Sequence, residues 1–374
     1  MAGIVPFVDL VAQYKSIAEE IDRAFHEVTT SAQYILGPRV ERFEEEFADV
    51  VGAEHAVGVG SGLDALRLGL LALEIGPGDE VIVPANTYIA TAFAVSEVGA
   101  EVVLVDCDPA TYNVDPDAAA AALTSRTRAL LPVHFTGQAA EMRPLLELAA
   151  SNSLEVVEDA AQAHGTLYEG RPCGSLSKLA CFSFYPGKNL GAYGDGGMVT
   201  TSDPAIVERT RRLRNYGERA KYDHVIKGVN SRLDGLQAAF LSVKLPHLPG
   251  WNEARLRHAD TYTDQLDGVG DLALQQRSSS STHVYHLFIV ETGERDALRD
   301  FLTEHGIQTG IHYPIPIHLQ EAYKDLGLGQ GAFPHTERLA RESLSLPMYP
   351  ELTEEQIRGV TGTIREFFAA GRSR

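Results

Sequence analysis

Three polar features of this 374-residue chain each follow an apolar run, and each could do chemistry there. Lys188 lies in FSFYPGKNLGAYGDGG, where the preceding LACFSFYP reads as a buried strand and the following glycines let the backbone crowd a ligand. An ammonium held in such a place tends to lose its proton, which makes the amine nucleophilic toward aldehydes and ketones. Asp159 closes the run LEVVED, where a carboxylate is costly unless it meets a cation, and a protonated heterocycle is one such partner. Gln162 and His164 follow within the same AAQAHG stretch, close enough to stand beside the same ligand. In VGVGSGLDAL a strand breaks into a helix at Gly60, Ser61 and Gly62. Amides at the helix start, the Ser61 hydroxyl and the close approach that the glycines permit would hold a phosphate.

Each feature also has an ordinary structural explanation. The glycines could serve only as a turn, Asp159 as a helix N-cap, Lys188 as a surface lysine and His164 as a hydrogen-bonded structural histidine. A nicotinamide-binding turn needs a glycine at the sixth position counted from Gly58, and Leu63 stands there, so a dinucleotide oxidoreductase loses support. Taken together, a phosphate cup, a carboxylate for a ring nitrogen and an amine for an aldehyde are the parts that pyridoxal 5′-phosphate requires.

The elements that must position these residues are strands alternating with helices. HAVGVG, EVIVP, EVVLVD, ALLPV and LEVVED are each followed by a turn or an apolar-periodic helix, the pattern of a mostly parallel sheet covered on both faces. In such α/β sheets ligands bind at the carboxyl ends of the strands. Length and the change of character after residue 200 predict a large domain over 1–245 and a smaller one over 246–374, with a boundary near PHLPGW. A helix is expected from Asn252 to about Leu266, a strand over VYHLFIV and an exposed loop over QRSSSST. The hydrophobic share of 44 % supports a packed core, and a net charge of −19 argues against nucleic-acid or anionic-membrane binding. Three scattered cysteines exclude a disulfide framework, and no apolar run is long enough to span a membrane. A cytoplasmic protein is the expectation.

The motifs VGSGLDAL, VPANTYIAT, VEDAAQAHG, FSFYPGKNLGAYGDGG, LRNYG and NSRLD together resemble those of the DegT/StrS family of nucleotide-sugar aminotransferases, in family order and over nearly the whole chain. The resemblance implies a fold-type-I pyridoxal phosphate enzyme: an α/β large domain with a mostly parallel seven-stranded sheet, a smaller α+β domain, and a homodimer with shared active sites. Lys188 would then carry the cofactor and shuttle the proton between substrate and cofactor, and Asp159 would keep the pyridine nitrogen protonated. Ser61, Gly62 and Ser183 would hold the phosphate beside Gly60, Gln162 would sit at the phenolic oxygen, and Tyr88 would stack on the ring. Without the family, Tyr88 reads as a core aromatic at a helix start. Asn230, in NSR, would reach the neighbouring subunit's cofactor phosphate.

One segment runs against the chain's acidity: residues 208–232 hold eight Lys or Arg against three acids, a local net of +5. A solvated basic face explains it equally; by resemblance it holds a nucleotide diphosphate, with Tyr216, Arg219, Lys221 and Tyr222 as candidates. In GIHYPIPIHLQEAY, His312, Tyr313 and His318 lack the neighbouring thiols or carboxylates of a zinc site, and no metal is expected. By resemblance this segment closes over the sugar, so that His312 and Tyr185 touch it, with Tyr313 and His318 as further substrate-binding candidates. The activity implied is transfer of an amino group from L-glutamate, through the pyridoxamine form, to a keto group of a nucleotide-linked hexose. The opening PFVDLVAQY, the phrase ILGPRVERFEEEFA and HYPIPIHLQEAY favour C3 of a dTDP-3-keto-6-deoxyhexose over C4 amination of a dTDP- or UDP-4-keto sugar. A catalytically silent sugar-nucleotide sensor is the alternative of another class. Gly235 departs from the family, where a larger residue is expected, and would cost a helix interior about 1 kcal/mol.

Overall fold

The valine-rich runs become the strands of one sheet. In the computed structural model, which describes residues 4–371, they are β1 (His55–Val59), β2 (Glu80–Pro84), β3 (Glu101–Val105), β4 (Thr127–Leu130) and β5 (Glu155–Asp159). A short hairpin of β6 (Leu167–Tyr168) and β7 (Arg171–Pro172) precedes β8 (Leu179–Ser183) and β9 (Gly197–Thr201). The sheet order is β1-β9-β8-β5-β4-β2-β3, and β9 alone runs antiparallel to its neighbours. The carboxyl ends of β1, β2, β5 and β8 therefore share one edge: Asp159 and Ser183 are the last residues of β5 and β8, and the turns leaving β1 and β2 carry Gly60 to Gly62 and Tyr88.

Side chains alternate across the sheet because successive Cβ atoms of a strand point to opposite faces. Along β8, Leu179 and Cys181 pack with Leu66, Val81 and Val157, whereas Ala180 and Phe182 join Phe43, Phe47 and Val156. The Phe47 and Phe182 rings meet edge to face at 4.9 Å. Helices cover both faces: α1 (Leu10–Ser31), α2 (Pro38–Val51), α3 (Gly62–Ala72), α4 (Ile89–Glu97), α5 (Pro116–Ala121), α6 (Met142–Asn152) and α7 (Pro204–Arg214). A hairpin of β10 (Glu218–Ala220) and β11 (Asp223–His224) then leads to α8 (Gly235–Lys244) and α9 (Leu248–Leu266).

Gly235 proves to be the first residue of α8 and not a helix-interior glycine. Its amide donates to the Tyr34 carbonyl at 2.7 Å, and a Cβ there would lie 2.7 Å from the Gln33 carbonyl oxygen. A larger side chain would push α8 off the end of α1, so the interior penalty expected from sequence does not arise. Around PHLPGW there is no loop: Leu245–His247 is a single 3-10 turn between α8 and α9.

The C-terminal part builds its own core. Antiparallel β12 (Ala273–Leu274), β13 (Phe288–Glu291) and β14 (Ser343–Leu346) pack with α9, α10 (Arg295–Glu304) and α12 (Glu354–Gly371), while α11 (Pro334–Glu342) leads into β14. Tyr262, Phe288, Leu298, Leu344 and Ile364 meet there, joined by Val5 from the N-terminal arm. The strand expected over VYHLFIV begins only at Phe288. Before it, Val284 and Leu287 donate to the carbonyls of Gly137 and Thr136, which draws His286 to the large sheet. No helix among the described residues is long and apolar enough to cross a membrane.

Candidate active site

At the end of β1 the chain turns into α3 with Ser61 as N-cap. Its Oγ accepts from the Asp64 amide at 3.1 Å and donates to the Asp64 carboxylate at 3.2 Å, so the hydroxyl foreseen for a phosphate is already engaged within the turn. Asp64 is in turn paired with Arg67. The Gly60 amide donates to Ser231 Oγ at 3.0 Å, while those of Gly62 and Leu63 find no acceptor among the described residues. These two amides at the positive end of a helix form an open anion cradle. Its floor is tight: a Cβ on Gly62 would sit 2.5 Å from Ser183 Cβ, and one on Gly197 would sit 2.1 Å from the Ser61 carbonyl oxygen. Glycine at both positions lets the helix start descend onto β8 and β9.

Asp159, at the end of β5, is buried and starts no helix, so the N-cap explanation fails. One carboxylate oxygen accepts from Thr91 Oγ1 at 2.8 Å and the other from the Ala161 amide at 3.2 Å. Because Thr91 donates to Asp159, the 2.9 Å contact between Thr87 and Thr91 must have Thr87 as donor. Burial raises the Asp159 pKa above its ordinary value, against the pull of these bonds and of Lys188. Thr91 is a site residue that the sequence reading missed, although it is the last residue of the quoted ANTYIAT and polar within the apolar first turns of α4.

Lys188 is half-buried, in a turn whose amide donates to the Tyr185 carbonyl at 2.8 Å. Its Nζ makes no hydrogen bond among the described residues. Burial lowers its pKa to about 8, partly opposed by the Asp159 carboxylate, so near neutrality the amine and the ammonium are both within reach. His164 is not the well-bonded structural histidine expected: among the described residues neither ring nitrogen has a hydrogen-bond partner at normal distance, and burial, then Lys188, pulls its pKa to about 3 against a weak contact with the Ser183 backbone. Its neutral ring lies between Phe182 at 5.3 Å and Phe184 at 5.9 Å.

Gln162 accepts from the Thr136 amide at 2.7 Å and turns its Nε2 to Tyr313 Oη at 3.3 Å. The Tyr313 ring is 5.3 Å from that of Tyr88. Tyr88 is 56 % exposed at the start of α4, which rules out its reading as a core aromatic. His312 Nδ1 bonds Ser345 Oγ at 2.8 Å, its ring stacks near Phe7, and burial with Lys188 lowers its pKa to about 4. Tyr185 is exposed one turn from Lys188, its amide donating to Ser183 Oγ at 3.3 Å. Lys188, Asp159, Ser183, Gln162, Tyr88, His312 and Tyr313 thus meet at one edge of the sheet.

Other expected residues lie apart. His318 is buried with its Nε2 on Glu337 at 3.0 Å, and Glu337 also accepts the Gly331 amide, so this histidine braces its own loop. Tyr216, Arg219, Lys221 and Tyr222 sit on or beside the β10-β11 hairpin, where Arg219 pairs with Asp223 at 2.7 Å and Lys221 lies over the Tyr222 ring at 5.2 Å. Tyr222 is 81 % exposed. Asn230 is exposed beside Ser231, its backbone bridged to Asn215. A buried group of His134, Glu158 and Cys173 has the atoms of a metal site. The Ala140 amide donates to His134 Nδ1 at 3.1 Å, which leaves the proton on Nε2 facing Glu158 at 3.1 Å and no lone pair for a metal.

Residues 15–365 match the DegT/DnrJ/EryC1/StrS aminotransferase family. The chain is 50 % identical over 363 residues to dTDP-3-amino-3,4,6-trideoxy-alpha-D-glucose transaminase of Streptomyces venezuelae, covering 97 % of this chain and 96 % of that one. It is 49 % identical over 361 residues to the erythromycin biosynthesis sensory transduction protein EryC1 of Saccharopolyspora erythraea, covering 96 % and 99 %. The crystal structure of S. venezuelae DesV in complex with a ketimine intermediate superposes with a TM-score of 0.97 at 49 % identity, over 98 % of this chain and 99 % of that one.

Proposed function

This chain belongs to the DegT/DnrJ/EryC1/StrS aminotransferase family, which works with pyridoxal 5′-phosphate, and from that premise we propose that it moves the amino group of L-glutamate to C3 of a dTDP-3-keto-6-deoxyhexose. The observation that carries the reading is the half-buried Lys188 amine, without a hydrogen bond among the described residues and lowered to a pKa of about 8, facing an Asp159 carboxylate that has two donors among them. The names of the similar Streptomyces and Saccharopolyspora proteins support a 3-amino deoxysugar product and an antibiotic setting. C4 amination stays the alternative regiochemistry.

The residues fit the cofactor. Free amides at Gly62 and Leu63, with the Ser183 hydroxyl beside them, offer three donors to a phosphate dianion. Asp159, too poorly partnered to be a comfortable anion, would gain the cation it lacks from a protonated pyridine nitrogen. Gln162 Nε2 would donate to the phenolic oxygen, and the exposed Tyr88 ring would cover one face. When bound, the cofactor supplies an aldehyde and an electron-withdrawing ring that make the α-proton of an amino acid removable. Lys188 Nζ, neutral in part near pH 8, takes that proton from glutamate and returns a proton to the sugar carbon in the second half of the cycle. The net exchange is glutamate plus ketone for 2-oxoglutarate plus amino sugar.

The residues on or beside the hairpin, Tyr216, Arg219, Lys221 and Tyr222, would meet the nucleotide diphosphate, while His312 and Tyr313 would meet the sugar. The exposed Asn230 amide, which makes no side-chain hydrogen bond among the described residues, would reach the cofactor phosphate of a second subunit in a homodimer. His318 is left out of the sugar contacts. Two domains, divided between residues 245 and 246, accord with the separate core around Tyr262 and Phe288. Three buried free cysteines support a reducing, cytoplasmic setting.

Incubation with glutamate and a panel of dTDP- and UDP-keto sugars should release 2-oxoglutarate and yield a C3-aminated dTDP sugar by mass and NMR analysis. Lys188→Ala should lower turnover by at least about 10³-fold. Ligand binding without any 2-oxoglutarate would instead mark a sensor, and a C4-amino product would overturn the regiochemistry.

A further inference from the structure

Asn189 follows the reactive lysine in sequence, and its side chain is buried and fully used. Its Nδ2 donates to the Val284 carbonyl at 3.0 Å and to Asn252 Oδ1 at 2.9 Å. Asn252 in turn donates to the His164 carbonyl at 2.8 Å. With both amide hydrogens spent, Asn189 Oδ1 can only accept, and its partner at 3.3 Å is His286 Nδ1. The proton of a neutral His286 therefore sits on Nδ1, and Nε2 keeps a lone pair with no donor among the described residues.

His286 is held in place by backbone as well. Val284 and Leu287 on either side of it bond the Gly137 and Thr136 carbonyls, and the His286 amide nitrogen lies 3.0 Å from where a Gly137 Cβ would be. The same spot is 3.2 Å from the Gln162 carbonyl oxygen, so His286 is strapped to the turn that aims Gln162. Burial keeps the imidazole well below its ordinary pKa, and the charges it faces act the same way: first Lys188, then Arg255 of α9, with His312 and His164 completing its surroundings. The ring is thus a fixed neutral acceptor beside the lysine.

We propose that Asn189 is a positioning residue for Lys188, and that His286, in the tautomer Asn189 imposes, presents Nε2 as a hydrogen-bond acceptor to an N–H or O–H group of the bound substrate. The inference rests on the assignment of Lys188 as the cofactor's lysine. It explains why a residue with no chemistry of its own joins the lysine turn to α9 and to the segment entering β13.

The test uses holoenzyme and two readouts: the pH titration of the visible absorbance of the lysine-bound cofactor, and kcat and KM separately. His286→Leu removes the acceptor and should lower kcat/KM by about tenfold or more. His286→Gln, whose amide can donate to Asn189 and still accept from substrate, should restore most of that loss. Asn189→Ala should shift the absorbance titration, and Asn189→Ala with His286→Leu should be no worse than the poorer single variant, because the two act as one unit. Leu and Gln variants alike within about twofold, or fully additive losses, would overturn the proposal. So would an Asn189→Ala enzyme that titrates as wild type. If Asn189→Ala does not fold, the two His286 variants decide alone. An active wild type with indistinguishable His286 variants defeats only this inference, whereas a wild type that never takes up the chromophore defeats the assignment of Lys188.

Discussion

Glu158 and Asp159 are consecutive acids at the end of one strand, both buried, and the protein treats them in opposite ways. Alternation sends Glu158 toward His134 and Cys173, where its carboxylate accepts five hydrogen bonds: from the amides of Gly174, Leu176 and Ser177, from Ser177 Oγ and from His134 Nε2. Although burial alone would raise its pKa, these donors hold it below the ordinary value. Asp159, on the other face, has Thr91 and Ala161 as its donors among the described residues, and burial wins. A carboxylate has about four acceptor sites, so one acid is saturated by its own chain while its neighbour is left short. The shortfall marks which of the two awaits a partner from outside.

The largest consequence falls on Asp159→Asn. With no negative charge to hold a ring nitrogen in its protonated form, turnover should fall about 10²- to 10³-fold. The cofactor-free protein should lose no stability. A raised aspartate pKa means that the charged form costs stability as pH climbs through the ordinary aspartate range toward the folded value, and the neutral amide escapes that cost. Thermal unfolding of the apo variant at neutral pH checks this. A large drop in melting temperature would show that Asp159 is a structural acid like its neighbour.

Glu158→Gln should do the reverse. A glutamine there turns an N–H toward groups that are themselves donors, at a cost of about 2–4 kcal/mol to folding. Cofactor absorbance and kcat of the folded fraction should stay near wild type. The sign with pH also differs: a lowered glutamate pKa gives stability that is complete above the ordinary glutamate range and is lost as acid drives pH through the folded value. The variant's stability should therefore vary less below that range. Urea unfolding at neutral and acidic pH measures it, and an unchanged midpoint at neutral pH would remove the contrast between the two acids.

This contrast also shows what sequence could and could not reveal. The valine-rich runs were legible as strands because a two-sided parallel sheet makes them nearly all apolar, and the polar residues at their ends stood out for that reason. β9, with the sequence GMVTT between glycines and a turn, carries too weak a pattern to announce itself, yet it brings Gly197 under the α3 start. Glu158 and Asp159 read alike in a string of letters. What separates them is which face each takes and how many amides of the Gly174–Ser177 turn happen to lie opposite. Thr91, Asn189 and His286 stayed hidden because ordinary residue types become site residues only when distant segments meet, and the VYHLFIV segment forms a strand over just part of its length. His318 shows the converse: it looked available in the motif, and tertiary packing spends it on Glu337.

The smallest effect concerns the partner across from Asp159. Burial lowers the Lys188 pKa from 10.5 to about 8, so in the apo protein the folded state holds this proton less firmly than the unfolded chain does. Between about 8 and 10.5 the unfolded chain binds more protons, and stability must rise with pH across that window. Below it the cost of the buried ammonium is present in full. Chemical denaturation of apo wild type and Lys188→Met at several pH values should show the upward slope in wild type alone. Asp159 opposes the shift, so in Asp159→Asn the lysine loses the one charge that favours its ammonium and the rise should begin at lower pH. Parallel pH curves for all three proteins would mean that this amine is solvated like any surface lysine, and that the two groups do not sense one another across β5 and β8.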